Sequence, residues 1–246
     1  MVMIVERSMS DGWLTNTYLV AAGPNSDAFL VDAGGPMEPL FAKAEEHSLN
    51  VTHVLLTHRH GDHIVALGET LERYPDAIVL AHPDERVTGT TGDLNPGDEL
   101  EIGGLKVKAL HTPGHTSGML NLLVDDKELF TGDTLFKGSV GGVRAEGSTS
   151  FEDIKHSIME VILTLPPETV VRPGHTEPTT VGDELESNKF VRVWRGLDEE
   201  GSEPCKALGE DATLVLLGDD YDGGHKAWVR WPDGKDDIVP GSKVER

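Results

Sequence analysis

Short apolar runs, alternating or continuous, punctuate the chain. Val2 to Glu6, Thr17 to Ala22 and Ala28 to Val31 read as strands, the last two joined by the turn Gly23-Pro24-Asn25. Pro36 to His47 predicts a helix, with a proline near its start and Leu40, Phe41 and Ala44 on one face. Val51 to Thr57 predicts a buried strand, and a helix begins over Ile64 to Leu71. Ile78 to Ala81 is another strand, and the Thr- and Gly-rich stretch Val87 to Gly97 reads as a surface loop. Glu99 to Leu110 has the pattern of a hairpin about Gly103-Gly104. Met119 to Val124 and Glu128 to Phe130 form a second hairpin about Asp125-Asp126.

Phe136 to Ser150 is rich in glycine and predicts a mobile loop. Ser150, with Asp153 three residues on, starts a helix whose buried stripe is Phe151, Ile154, Ile158, Val161, Ile162 and Leu165. Thr169 to Arg172 is a strand and Val181 to Trp194 a closing helix. Near Arg195 the texture changes. Thr213 to Leu217, Lys226 to Trp231 and Asp237 to Val239 are short strands between Asp/Gly turns, which predicts a small all-β appendage, possible as a barrel. The expected division is residues 1–194 and 195–246. In the first part, strands and helices recur in two similar halves, a pattern that permits a layered α+β sandwich.

Composition narrows this picture. The chain has 246 residues and 37% hydrophobic content, enough for one sizeable core and a small appendage. Its net charge of −22 repels polyanions and argues against nucleic-acid substrates. The single cysteine, Cys205, rules out an internal disulfide and reads as a structural thiol. No apolar signal core precedes Asn16 and no apolar run has membrane length. The expectation is a soluble cytoplasmic protein with a small-molecule substrate, and with neither nucleic acid nor membrane as partner. The tail is expected to shape or pair the molecule, as in a homodimer, without supplying a metal ligand.

The candidate chemistry concentrates in Thr57-His58-Arg59-His60-Gly61-Asp62-His63, directly after the run Val54-Leu55-Leu56. His58 and His60 are two apart, so their rings can share a side of an extended segment. Gly61 permits a sharp turn before Asp62 and His63. Imidazole and carboxylate are ligands for zinc, iron or manganese. The alternative is a solvated loop that is merely rich in histidine. Three further candidates weigh against it: His115 in Thr112-Pro113-Gly114-His115-Thr116, Asp133 in Thr131-Gly132-Asp133-Thr134, and His175 in Arg172-Pro173-Gly174-His175-Thr176. Each follows an apolar run and a Gly or Pro-Gly turn, which fixes a side chain at a sheet's rim. His53 and His111 flank these motifs and are read as core histidines before supporting ones.

This motif set resembles the metallo-β-lactamase superfamily. More narrowly, Thr131-Gly132-Asp133-Thr134-Leu135-Phe136 and Pro173-Gly174-His175-Thr176-Glu177-Pro178-Thr179-Thr180 resemble the glyoxalase II-like, hydroxyacylglutathione hydrolase-like, metallohydrolases. The resemblance covers about residues 1 to 194. It implies a four-layer αβ/βα sandwich in which His58, His60 and His115 hold one metal, Asp62, His63 and His175 a second, and Asp133 bridges. It also implies that Asp32 buttresses the histidine loop. Asp62 and Asp133 are the implied catalytic residues, one orienting water and the other bridging. The implied cofactors are two divalent ions, Zn2+ first, with Fe or Mn as alternatives. The implied activity is hydrolysis of a small acyl thioester or related ester.

Departures from the pattern keep other readings open. Glyoxalase II proper ends in a helical domain that grips glutathione, whereas this tail is β-rich and acidic. Relatives carry Gly-Arg where this chain has Gly141-Gly142, which leaves Lys137 and Arg144 as candidate carboxylate contacts. A mononuclear iron persulfide dioxygenase, a lactonase, and a non-enzymatic module with a partner-binding tail are the alternatives.

Overall fold

The computed structural model of the chain describes residues 3–246, so Val2, where the first strand is expected to open, lies outside the described residues. Contacts divide the chain into two units. The first takes the residues up to His111, Gly118–Gly132 and Pro173–Thr176; the second takes Thr112–Ser117, Asp133–Arg172 and Glu177–Arg246.

In the first unit, β1 (Ile4–Met9), β2 (Asn16–Ala21), β3 (Asp27–Val31), β4 (Asn50–Leu55), β5 (Ile78–Ala81) and β6 (Gly92–Asp93) form one sheet in that order. β1 to β3 pair antiparallel and β3 to β6 parallel. A second, antiparallel sheet runs β7 (Glu99–Ile102), β8 (Leu105–His111), β9 (Leu120–Val124) and β10 (Glu128–Gly132). The helices are α1 (Glu38–Glu46), α2 (Gly61–Ile64) and α3 (Leu67–Arg73).

Successive strand residues point to opposite faces, and both faces of the first sheet are covered. Leu30 and Val54 pack with Leu40 and Phe41 of α1. Their neighbours Phe29, Val31 and Leu55 pack with Val107, Leu122 and Phe130 of the second sheet. Helices, first sheet and second sheet are therefore three consecutive layers. Truncating Phe29, which is fully buried, to alanine would cost about 3–5 kcal/mol. The first strand lies two residues further on than its pattern predicts, and β4 stops at Leu55. Thr57 and His58 are thereby left outside the ladder to carry the histidine loop.

The second unit differs more from its pattern. The glycine-rich stretch is not a mobile loop at its start. β11 (Leu135–Phe136) and β12 (Ser139–Val140) pair as a tight hairpin whose strands are buried. α4 (Phe151–His156) begins where expected, with Ser150 Oγ accepting from Asp153 N at 3.0 Å, and widens into a π-helical turn over Ser157–Ile162. β13 (Val170–Pro173) and β14 (Thr179–Thr180) pair antiparallel. The expected closing helix is two helices, α5 (Val181–Ser187) and α6 (Lys189–Trp194). Asn188 breaks it: its backbone is extended (ψ 117°) and its Oδ1 accepts from Phe190 N at 3.0 Å, capping α6.

The tail forms an antiparallel sheet of five strands rather than three. These are β15 (Glu203–Ala207), β16 (Glu210–Asp219), β17 (His225–Arg230), β18 (Asp236–Pro240) and β19 (Val244–Glu245), in the order β18-β17-β16-β15-β19. β15 and β19 are mostly polar, which hid them from pattern reading. Cys205, Leu214, Val229 and Val239 build the core of this sheet. Burial pushes the Cys205 thiol pKa up, as suits a packing residue. Trp228 is 2% exposed, with its ring 5.1 Å from Phe151 and 6.3 Å from Trp194. Among the described residues no helix is long and apolar enough to cross a membrane.

Candidate metal centre

The histidine loop leaves β4 and turns into α2, with His60 in extended backbone just before the helix. Gly34 lets the segment after β3 pass under this turn. A Cβ there would lie 2.2 Å from the Asp62 carbonyl oxygen. The backbone bonds Ala33 N to His63 O (2.7 Å) and Ala66 N to Ala33 O (2.8 Å) lock the two segments together. His58 and His63 are fully buried, with ring centroids 4.2 Å apart, and the His60 ring lies 4.7 Å from that of His58.

Asp32 supports this group through three hydrogen bonds. Its Oδ1 accepts from Thr57 N at 2.8 Å, and its Oδ2 accepts from Thr57 Oγ1 and from His63 Nδ1, each at 2.8 Å. Thr57 Oγ1 has thus given its proton to Asp32, so it accepts from His58 Nδ1 at 3.0 Å. Both rings are left with Nε2 as the lone-pair nitrogen when neutral.

His175 reaches the same unit through the segment Pro173–Thr176. The N-terminal hairpin grips it: Asn16 N donates to Gly174 O (2.7 Å), and Asn16 Nδ2 and the Tyr18 hydroxyl both donate to Pro173 O (2.9 and 2.7 Å). His175 Nδ1 lies 2.9 Å from the Trp13 carbonyl oxygen. A carbonyl only accepts, so Nδ1 carries the proton and Nε2 the lone pair. Asp62 Oδ2, fixed by a 2.8 Å bond from Thr15 Oγ1, is 3.6 Å from both His63 Nε2 and His175 Nε2. One ligand atom from each of Asp62, His63 and His175 lies within 4.8 Å of the others.

In the second unit, His115 Nε2 lies 3.5 Å from Asp133 Oδ2. His115 Nδ1 donates to the Gly142 carbonyl at 2.9 Å, which again presents Nε2. Both side chains are almost buried.

These donor sets fit divalent cations. Each faces lone pairs of imidazole and carboxylate toward one another, and the Nδ1 protons of His58, His63, His115 and His175 are all held by oxygen acceptors. Metal-binding histidines carry this support. Asp32, His58 and His63 also lie close enough to count as a ligand trio. The 2.8 Å bond to His63 Nδ1 makes Asp32 the support of that trio and not its third ligand.

The model of the metallo-beta-lactamase superfamily matches residues 10–175. The chain belongs to that superfamily. It has the superfamily's α+β sandwich fold. A cytoplasmic hydroxyacylglutathione hydrolase of Arabidopsis thaliana is 31% identical over 219 residues, covering 72% of this chain and 83% of the relative. ETHE1 from Myxococcus xanthus matches with a TM-score of 0.69 at 29% identity, covering 79% of this chain and 91% of its own. TTHA1623, solved in a di-iron-bound form, matches with a TM-score of 0.64 at 29% identity, covering 76% of this chain and 100% of its own. Members of the superfamily bind two metal ions and are hydrolases.

Of the residues that the superfamily pattern singles out, the first unit brings together His58, His60, Asp62, His63 and His175, and the second brings together His115 and Asp133. The two basic side chains of the glycine-rich stretch are placed otherwise. Lys137 is exposed, and Arg144 pairs with Asp237 at 2.5 Å. His111 is exposed and stacks parallel on His82, 5.4 Å away, so it is not a core histidine. Sequence reading did not find Thr15, Thr57 or the carbonyls of Trp13 and Gly142. A buried threonine beside a ligand leaves no signal of its own, and a carbonyl has no residue identity at all.

Proposed function

We propose that the chain is a dinuclear metal-dependent hydrolase acting on a small acyl thioester or related ester, with residues 1–194 catalytic and 195–246 an accessory β domain. The convergence of Asp62, His63 and His175 carries the reading, because it adds a second ligand group to that of His58 and His60. On the superfamily pattern His58, His60 and His115 would hold one ion and Asp62, His63 and His175 the other, with Asp133 serving both. When bound, such a pair supplies Lewis-acid polarisation of a carbonyl and water acidic enough to act near neutral pH. Zn2+ is the expected ion, with Fe next.

The chain's own residues orient and hold. Asp32 and the Trp13 and Gly142 carbonyls fix which nitrogen each imidazole presents. Thr15 fixes the rotamer of Asp62, whose carboxylate orients the attacking water. Among leaving groups, a thiolate with a pKa of about 8.5 departs without a protonating side chain, unlike an amine. The acidic surface favours a small substrate over nucleic acid. The hydroxyacylglutathione hydrolase relative supports the thioester reading; the β-rich tail leaves the thiol carrier open.

The likeness to ETHE1 favours a second reading, a mononuclear iron persulfide dioxygenase. One experiment separates them: metal content per chain, alongside turnover of α-hydroxyacyl thioesters, lactones, β-lactams and phosphodiesters, and oxygen uptake with a persulfide. Two ions and thioester kcat/KM above the rest support the proposal. One iron with oxygen uptake replaces it, and faster lactone turnover makes the chain a lactonase.

A further inference from the structure

The residues beyond 175 lie outside the matched family model, yet the tail reaches into the hairpin that follows Asp133. Lys226, the second residue of β17, is only 7% exposed. Its Nζ donates to the Val140 carbonyl at 2.6 Å and pairs with Asp220 Oδ1 at 3.0 Å. It also lies 5.1 Å from the Phe136 ring centroid and 5.5 Å from that of Tyr221. Asp220 Oδ1 accepts from Ser139 Oγ as well, at 3.2 Å. One buried ammonium and its carboxylate therefore hold both residues of β12.

The next two residues touch the ligands. Gly141 N donates to Thr134 O at 3.0 Å, and a Cβ on Gly141 would lie 2.0 Å from the Asp133 carbonyl oxygen. Gly142 O accepts the Nδ1 proton of His115. Two glycines in a row are flexible in themselves, so the position of that carbonyl depends on what grips the chain beside it. Gly141 N is held on Thr134 O, and beyond it the tail grips the chain two residues to either side of Gly142, through buried Lys226 on Val140 and through Asp237 on the half-exposed Arg144.

We propose that Lys226 is a positioning residue: through Val140 it holds the Gly142 carbonyl where it fixes the tautomer and direction of the His115 ring. The β tail thus sets the affinity of the metal held through His115 while contributing no ligand. This rests on the reading of His115 as a ligand.

Lys226→Met keeps the unbranched apolar stem and removes the ammonium, and Lys226→Arg restores a charged donor. Two readouts are taken on the full chain. In the metal-free protein, the long-range 1H–15N imidazole spectrum reports the His115 tautomer. With Zn2+ alone, competition against a chromophoric chelator reports each affinity. In Lys226→Met we expect a shifted His115 signal and one Zn2+ bound about 10- to 100-fold more weakly, the cost of losing outer support, with the other ion unchanged and Lys226→Arg recovering most of the loss. A variant that melts lower yet keeps the parental His115 signal and both affinities overturns the proposal. If Lys226→Met does not fold, Asp220→Asn decides by the same readouts: altered His115 and weaker Zn2+ support it, both unchanged overturn it. A parent chain that binds fewer than two Zn2+ ions refutes the dinuclear reading instead, and the imidazole comparison still judges Lys226.

Discussion

Asp32 Oδ2 accepts a 2.8 Å hydrogen bond from His63 Nδ1, and the same oxygen accepts from Thr57 Oγ1. His63 thereby presents the lone pair of Nε2. Asp32 itself has left-handed backbone (φ 60°), which Asn tolerates as well. Asp32→Asn should therefore fold normally while offering an amide N–H where an acceptor is needed. We expect Zn2+ affinity to fall about 10- to 100-fold in a chelator competition. Unchanged affinity would show that the support is dispensable.

Thr15→Val preserves shape and deletes the bond to Asp62. Asp62 is partly exposed, so the cost to the metal-free protein should be about 1 kcal/mol, measured by urea unfolding. The larger effect is expected on the ion that Asp62 holds, because the carboxylate gains rotamer freedom. Calorimetric Zn2+ titration should show one of two binding events weakened. Two unaltered events would sink the idea.

Gly141 and Gly142 are neighbours with opposite tolerance. Gly141→Ala drives a methyl against the Asp133 backbone, whereas nothing lies within 4 Å of a Cβ on Gly142. Overpacking of this kind costs about 1–3 kcal/mol, and the backbone that moves carries Asp133. We expect Gly141→Ala to melt lower and lose metal, and Gly142→Ala to do neither. Equal behaviour of the pair, by melting and metal analysis, would contradict the geometry.

Glu184 is 1% exposed and accepts from Thr179 Oγ1, Gly138 N and Asn188 Nδ2. Burial raises its pKa despite these donors. A carboxyl that binds protons more tightly when folded favours folding most when both states are protonated. Its contribution is therefore greatest below the unfolded value of about 4.3, and is lost as pH climbs through the raised folded value. Denaturant unfolding from pH 4 upward should show stability falling across that window relative to Glu184→Gln. Parallel curves for the two proteins would mean that Glu184 does not titrate differently in the fold.

The sequence by itself marked the candidate metal-binding residues and the elements that carry them. His58, His60, Asp62, His63, His115, Asp133 and His175 stand just beyond apolar runs and beside Gly or Pro-Gly turns, and both signals are local: apolar runs mark strands, and Gly or Pro marks turns. Only the tertiary structure decided what holds those side chains. Asp62 is held by Thr15 from 47 residues away, His115 by the Gly142 carbonyl from 27, and His175 by the Trp13 carbonyl from 162. A carbonyl oxygen belongs to every residue type, so nothing in the sequence marks the one that will be used. The hairpin after Asp133 looked mobile because its glycines are locally permissive. It is buried, with Lys226, 86 residues from Val140, bound to it, and burial depends on partners that local pattern does not contain.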